Sequence, residues 1–211
     1  MNESDKGIKI QEENNKYTLI ISEQQMQNHP EFCNSYFIKT LKKMLLTNAE
    51  IQFHKLDEYF KTDDNFYLKL TIFIKEIIKQ INYLESNDLC YLYLNISDII
   101  VCNNHFFLIK TDNLFRLTEQ DGGKVLYFQD IHGENISDNV NVDFVSQEVR
   151  DNTTSLNKQI PISYSKTVMY ESLGKLVYAL SKDKNISDTA VEYFINRTLS
   201  DSPNDRILNF I

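Results

Sequence analysis

Histidine, cysteine and glycine are too few and too scattered in this chain for several common chemistries. The four histidines (His29, His54, His105 and His132) show no His-x-x-x-His spacing, and no Cys-x-x-Cys occurs, so no zinc site is indicated. The three cysteines, Cys33, Cys90 and Cys102, are odd in number and far apart. They read as reduced, partly buried thiols rather than as a disulfide framework. No Gly-x-Ser-x-Gly elbow is present. The run Ser172-Leu-Gly174 falls on a helical pattern, where a serine packs rather than attacks. Apolar runs are short as well. None reaches the roughly 18 residues of a membrane span, and the opening Met1-Asn-Glu-Ser-Asp-Lys-Gly7 has no apolar signal segment. The expectation is a cytoplasmic protein with no membrane partner. Positive charge is scarce too: 22 Lys and Arg stand against 30 Asp and Glu, for a net charge of -8. The basic run Lys39-Thr-Leu-Lys-Lys43 reads as a solvated helix face. Nucleic acid is therefore not an expected partner, because phosphate contacts need clustered Lys and Arg.

The chain has enough apolar residues to form a core. Hydrophobic residues make up 42% of 211, which is sufficient for one good core or one domain with an extension. Tyr17-Thr-Leu-Ile-Ile-Ser22 predicts a strand, and Pro30 opens a helix whose Phe37, Ile38, Leu41, Met44 and Leu45 share one face. Ile51-Gln-Phe-His54 predicts a second strand and Leu56-Asp-Glu-Tyr-Phe60 a short helical turn. The clearest helix starts at Phe66, with Asp63 or Asp64 as its cap. Its apolar stripe runs through Leu70, Phe73, Ile74, Ile77, Ile78, Ile81 and Leu84, with Lys69, Lys75, Glu76 and Lys79 on the outer face. Ile99-Ile-Val-Cys102 and His105-Phe-Phe-Leu-Ile109 form a hairpin around Asn103-Asn104, a pair that tolerates positive φ; His105 is then exposed at the turn. Residues 118–141 read as a loop with one strand, and 142–162 as extended and irregular. Val168, Leu173, Leu176, Val177 and Leu180 form another helical stripe. Thr189 and Glu192 make a capping box before a further helix, and Ser202-Pro203 opens a last one.

The order of four segments resembles the large lobe of protein kinases: Tyr93-Leu-Asn-Ile-Ser-Asp-Ile-Ile-Val101, Val145-Ser-Gln-Glu148, Tyr170-Glu-Ser-Leu-Gly174 and Pro203-Asn-Asp-Arg206. At family level the chain is similar to the degenerate kinase-like proteins of large DNA viruses. No single motif is intact; the resemblance lies in order and spacing. It implies an α+β, mainly helical fold, with a kinase-like large lobe over residues 65–211 and a reduced N-terminal α/β cap over residues 1–64, packed as one unit.

Phosphoryl transfer needs a carboxylate to orient the acceptor hydroxyl, a metal ligand just after it, and a second metal carboxylate. Aligned on the family, the base position holds Tyr93 and the phosphate-contacting lysine position holds Asn95. A neutral phenol does not replace a carboxylate near pH 7. Asp98 occupies the place of the metal-binding asparagine and Asp112 that of the second metal carboxylate. The two form a residual oxygen pair for Mg²⁺, or Asp98 caps a turn and Asp112 sits in a loop. The phosphate-cradling Gly-x-Gly-x-x-Gly loop and its lysine are missing: Gly7, Gly122, Gly123, Gly133 and Gly174 are the only glycines, and none precedes the long helix in a strand–loop–strand. One structural feature of the family is implied to survive, an ion pair between Glu148 and Arg206.

The resemblance therefore implies a pseudokinase: no catalytic residues, no cofactor, and a role in binding another protein, in the host cytoplasm if the chain is viral. A lobe without its usual small-lobe contact is expected to expose apolar surface near Tyr91, Tyr93 and Leu114, for a partner or the cap to cover. The alternative is a divergent Ser/Thr-type kinase that uses ATP and Mg²⁺ through Asp98 and Asp112.

Overall fold

The computed structural model describes residues 8–13, 16–47, 51–61, 65–120, 123–129, 142–154 and 161–210. The chain forms two compact units. One comprises Met1–Asn87 with Ile96–Asp112, and the other Asp88–Asn95 with Asn113–Ile211.

The first unit opens with an antiparallel hairpin of β1 (Ile8–Glu13) and β2 (Lys16–Ile21), in register from Ile8 opposite Ile21 to Glu13 opposite Lys16. Ser22 caps the short helix α1 (Glu23–Asn28): its hydroxyl accepts the Gln25 N–H at 3.3 Å. Helix α2 (Pro30–Cys33) has proline in its first turn, where no backbone N–H is needed. Helix α3 (Tyr36–Thr47) buries Phe37, Ile38, Leu41 and Leu45 and leaves Lys39, Lys42 and Lys43 in solvent. After β3 (Phe53–Lys55) and α4 (Leu56–Lys61) comes the long helix α5 (Phe66–Ser86), whose buried stripe from Phe66 to Leu84 is the expected one, except that Ile78 is half-buried and Gln80 is buried within it. The expected caps Asp63 and Asp64 lie outside the described residues. Asn65 precedes the helix in the left-handed region (φ 58°) and makes no side-chain cap bond.

The chain next forms β4 (Leu89–Tyr91) in the second unit. It returns to the first for a 3-10 turn at Ile96–Asp98, then β5 (Ile99–Cys102) and β6 (His105–Leu108). Asn103 and Asn104 carry φ of 49° and 65°, the geometry of a two-residue hairpin turn. The sheet order is β3-β5-β6, so β6 is an edge. Helix α5 closes that edge with side chains. Gln80 donates to the Phe106 carbonyl at 2.7 Å and accepts the Leu108 N–H at 2.9 Å. One helical turn earlier, Glu76 accepts the Phe106 N–H at 2.8 Å and contacts His105 Nδ1 at 2.7 Å. A primary amide thus stands in for a neighbouring strand and satisfies backbone groups that burial would otherwise penalise.

The second unit pairs β4 with β7 (Leu114–Arg116), and orders β8 (Thr118–Gln120), β9 (Gly123–Phe128) and β10 (Ile162–Ser165) as β10-β9-β8. Helix α6 (Gln147–Thr154) follows a 3-10 turn at Val142–Phe144. Helices α7 (Val168–Ser181) and α8 (Ala190–Thr198) pack against each other. Gly174 sets their approach: a Cβ there would fall 2.2 Å from Thr198 Oγ1.

Several expectations are corrected. The expected mainly helical fold is not what the chain forms, and a kinase-like large lobe with a reduced N-terminal cap is not confirmed. Roughly half of the described residues are helical and a quarter lie in strands, in four small separate sheets of two or three strands. The strands beyond those expected are β1 of the N-terminal hairpin, the β4–β7 pair, and those that the polar stretch after Arg116 contributes or recruits. There β8 and β9 replace the single expected strand, and β9 recruits β10 from more than thirty residues on. The segment expected to be irregular contains α6, and the expected last helix is a single 3-10 turn at Pro203–Asp205. Among the described residues no helix is long and apolar enough to cross a membrane.

Candidate functional site

Tyr93 and Asn95 belong to the second unit, Asp98 and Asp112 to the first. Tyr93 is 2% exposed. Its neighbour Leu94 is tied to α7: the Leu94 N–H donates to Ser172 Oγ at 2.8 Å, and that hydroxyl donates back to the Leu94 carbonyl at 3.4 Å. Ser172 is therefore a packing serine that fastens the backbone beside Tyr93. The expected exposure near Tyr91, Tyr93 and Leu114 is not found. All three are buried, because β4 and β7 pair there and place Tyr91 opposite Leu114.

Asp98 ends the 3-10 turn before β5, with its side chain 4% exposed. Its carbonyl accepts the Ile109 N–H at 2.9 Å, which closes the base of the hairpin. Lys110 Nζ lies 3.8 Å from its carboxylate and 3.0 Å from Ser97 Oγ. The buried charge is thus matched by an ammonium of the same hairpin. Asp112 is exposed, in a turn just past β6. Among the described residues no group of three or more His, Cys, Asp or Glu side chains gathers as a metal site would need.

Glu148 and Arg206 are brought together. Arg206 Nη1 lies 2.6 Å from Glu148 Oε1 and Nη2 lies 3.0 Å from Oε2, a two-pronged pair. The arginine side chain is 3% exposed, and its Nε donates to the Ser200 carbonyl at 3.0 Å. Sequence reasoning missed two further members. Arg206 Nη2 is 2.7 Å from Glu171 Oε2, as a charge contact rather than an aligned hydrogen bond. Glu171 Oε1 is 2.7 Å from Lys175 Nζ and accepts the Gln147 N–H at the start of α6. Lys175 also donates to the Val145 carbonyl at 2.7 Å. Two carboxylates and two cations are thus balanced in one cluster that joins α6, α7 and the segment after α8. The signal for the missed pair was present, since Glu171 and Lys175 stand four apart in the favoured order on one helix. It was hidden because that helix reads as core throughout.

Burial raises the Glu148 carboxyl, but the Arg206 hydrogen bonds and charge outweigh it and hold the group below its ordinary value. Every charge in the cluster already has an opposite partner at contact distance, so its chemistry is that of a fastener, with no free acid, base or nucleophile. No protein-family model matches this chain, and no curated protein matches it.

Proposed function

We propose that this chain works as a protein-binding, regulatory module without phosphotransfer activity, the degenerate kinase-like role that its motif order implies. The observation that carries the proposal is the burial of Tyr93 at 2% exposure, with Leu94 bonded to Ser172 beside it. A general base must come within hydrogen-bond reach of the hydroxyl it serves. A phenol shut into a packed interior, at the position that the resemblance aligns with the catalytic base, has neither the charge nor the access. The pairing of Asp98 with Lys110 supports the same reading, since a metal ligand set would compete with that ammonium. The buried cysteines Cys33, Cys90 and Cys102 fit reduced thiols of a reducing compartment, and we propose that the protein works in the cytoplasm.

Thermal melting with and without millimolar Mg-ATP tests the reading. A nucleotide held by the folded state adds about 2.7 kcal/mol at about 100 times its Kd. The expected result is no shift. A clear shift that disappears in Asp112→Ala would favour a divergent kinase instead.

A further inference from the structure

Helix α8 carries Ala190, Tyr193, Phe194 and Arg197 at the spacing of one helical face, and all four line a cavity of about 320 Å³. Asp188, just before the helix, and Asn209, on the segment after it, complete the lining. All six lie in the second unit. The segment after α8 is held against the helix at two points. The Ile207 N–H donates to the Arg197 carbonyl at 3.3 Å, and the Phe210 ring meets Phe194 edge-on with centroids 5.9 Å apart. Tyr193 is 67% exposed and stands at the mouth, whereas Phe194 is 1% exposed and lies at the floor. Of the four arginines in the chain, Arg206 is paired with two carboxylates, and Arg116 and Arg150 are engaged elsewhere. The Arg197 guanidinium alone has no partner among the described residues. Asp188 gives its backbone N–H to Glu192 at 2.7 Å, but among the described residues no cation reaches its own carboxylate. A guanidinium and a carboxylate thus line one cavity without meeting. Each is stable without the other, because the helix dipole favours a carboxylate before the first turn and a cation in the last.

We propose that this cavity binds a small zwitterion, in which a carboxylate and an ammonium are held apart by a flat apolar body. Two opposite charges that do not reach each other are complementary to a ligand that carries both and spans the gap. The planar guanidinium of Arg197 takes the carboxylate through two parallel N–H···O bonds. The ammonium donates to Asp188 at the other end. From Ala190 to Arg197 the helix rises about 10 Å, so the two ligand charges belong at opposite ends of the body rather than on one carbon. Tyr193 and Phe194 stand one turn before Arg197 on the same face and offer that body two aromatic rings. The Asn209 amide adds a donor and an acceptor. The volume lies near the lower end of small-molecule pockets, about 300–1,000 Å³, and suits a ligand built on a single ring. A nucleoside triphosphate does not fit the same description, since one arginine leaves most of its charge unmatched and Asp188 repels it. The site goes beyond the protein-binding reading above and does not rest on it.

The test is a chemical-shift titration of the isotope-labelled chain with para-(aminomethyl)benzoate. Two analogues run beside it: para-methylbenzoate, which lacks the ammonium, and para-methylbenzylamine, which lacks the carboxylate. The zwitterion is expected to give saturable shifts at the Tyr193, Phe194 and Arg197 amides, with a Kd of about 1 mM or below. Each analogue should bind about fivefold more weakly, the upper range for losing one exposed ion pair. Arg197→Gln should weaken the zwitterion by about the same factor and leave para-methylbenzylamine unchanged. Asp188→Asn should make the zwitterion and para-methylbenzoate bind alike. A merely structural role for either residue would not give this crossed pattern. Both side chains are exposed, and asparagine tolerates the left-handed backbone at Asp188 (φ 59°), so unchanged melting curves verify folding. Should a variant melt early, the three ligands compared on the parent chain decide the matter. Absence of saturable shifts below about 10 mM zwitterion overturns the proposal. So does equal binding of the three compounds, or saturable shifts centred away from α8.

Discussion

Arg206 meets Glu148 through two N–H···O bonds, of 2.6 and 3.0 Å, with the guanidinium almost wholly out of water. Removing the arginine would leave Glu148 and Glu171 facing each other without their shared cation. Arg206→Ala is expected to cost about 3–5 kcal/mol, the range for breaking a buried pair from one side. Arg206→Lys should recover only part of it, because an ammonium lacks the planar fork. Urea denaturation of the three proteins checks this, and an Arg206→Ala midpoint equal to the parent's would show that the cluster carries no stability.

The same pair gives a pH dependence. The Glu148 carboxyl is held below its ordinary value of 4.5, so the folded state binds the proton less readily than the unfolded chain. Its contribution to stability is complete above the unfolded value and is lost as pH falls through the lowered folded value. Denaturation of the parent and of Glu148→Gln should therefore differ most near neutral pH and converge in strong acid. A gap that widens on acidification would contradict the sign.

Gln80 has an equally specific role. Its amide is the partner of two backbone groups on the β6 edge, and it is 2% exposed. Gln80→Met keeps the length and removes both bonds. About 1–3 kcal/mol is expected for each buried group left without a partner. Hydrogen exchange localises the effect: the Leu108 amide should lose protection while the α5 amides keep theirs.

Gly174 is a packing requirement. A methyl there would sit 2.2 Å from Thr198 Oγ1 and 3.0 Å from Leu199 Cδ2, so α7 and α8 would have to separate. Gly174→Ala should destabilise by about 1–3 kcal/mol. Thr198→Ala in the same protein should relieve part of that loss, which a double-mutant cycle reads as favourable coupling.

What the sequence made legible was local. The stripe from Phe66 to Leu84 is α5, the Asn103–Asn104 pair is a hairpin turn, and Thr189 with Glu192 starts α8, with the Glu192 N–H on Thr189 Oγ1 at 3.3 Å. These follow from periodicity and turn chemistry within a few residues. What stayed hidden depends on distant partners. Ile8–Glu13 reads as a polar terminus until β2 pairs with it, and Leu126 needs Tyr164 opposite it to become a strand residue. Helix α6 is polar enough that no stripe announces it. Glu76 is expected on the outer face of α5 and instead reaches a strand thirty residues later in the chain. Of the candidate site, the residue types were readable but their burial was not, and for Tyr93 the burial matters most.

The most direct test of catalytic inertness incubates the purified chain with Mg²⁺, γ-radiolabelled ATP and a serine-rich acceptor protein. A buried phenol in place of a base predicts no label on the acceptor or on the chain itself above a heat-inactivated control. Label that appears with the intact chain and is lost in Asp112→Asn would contradict it.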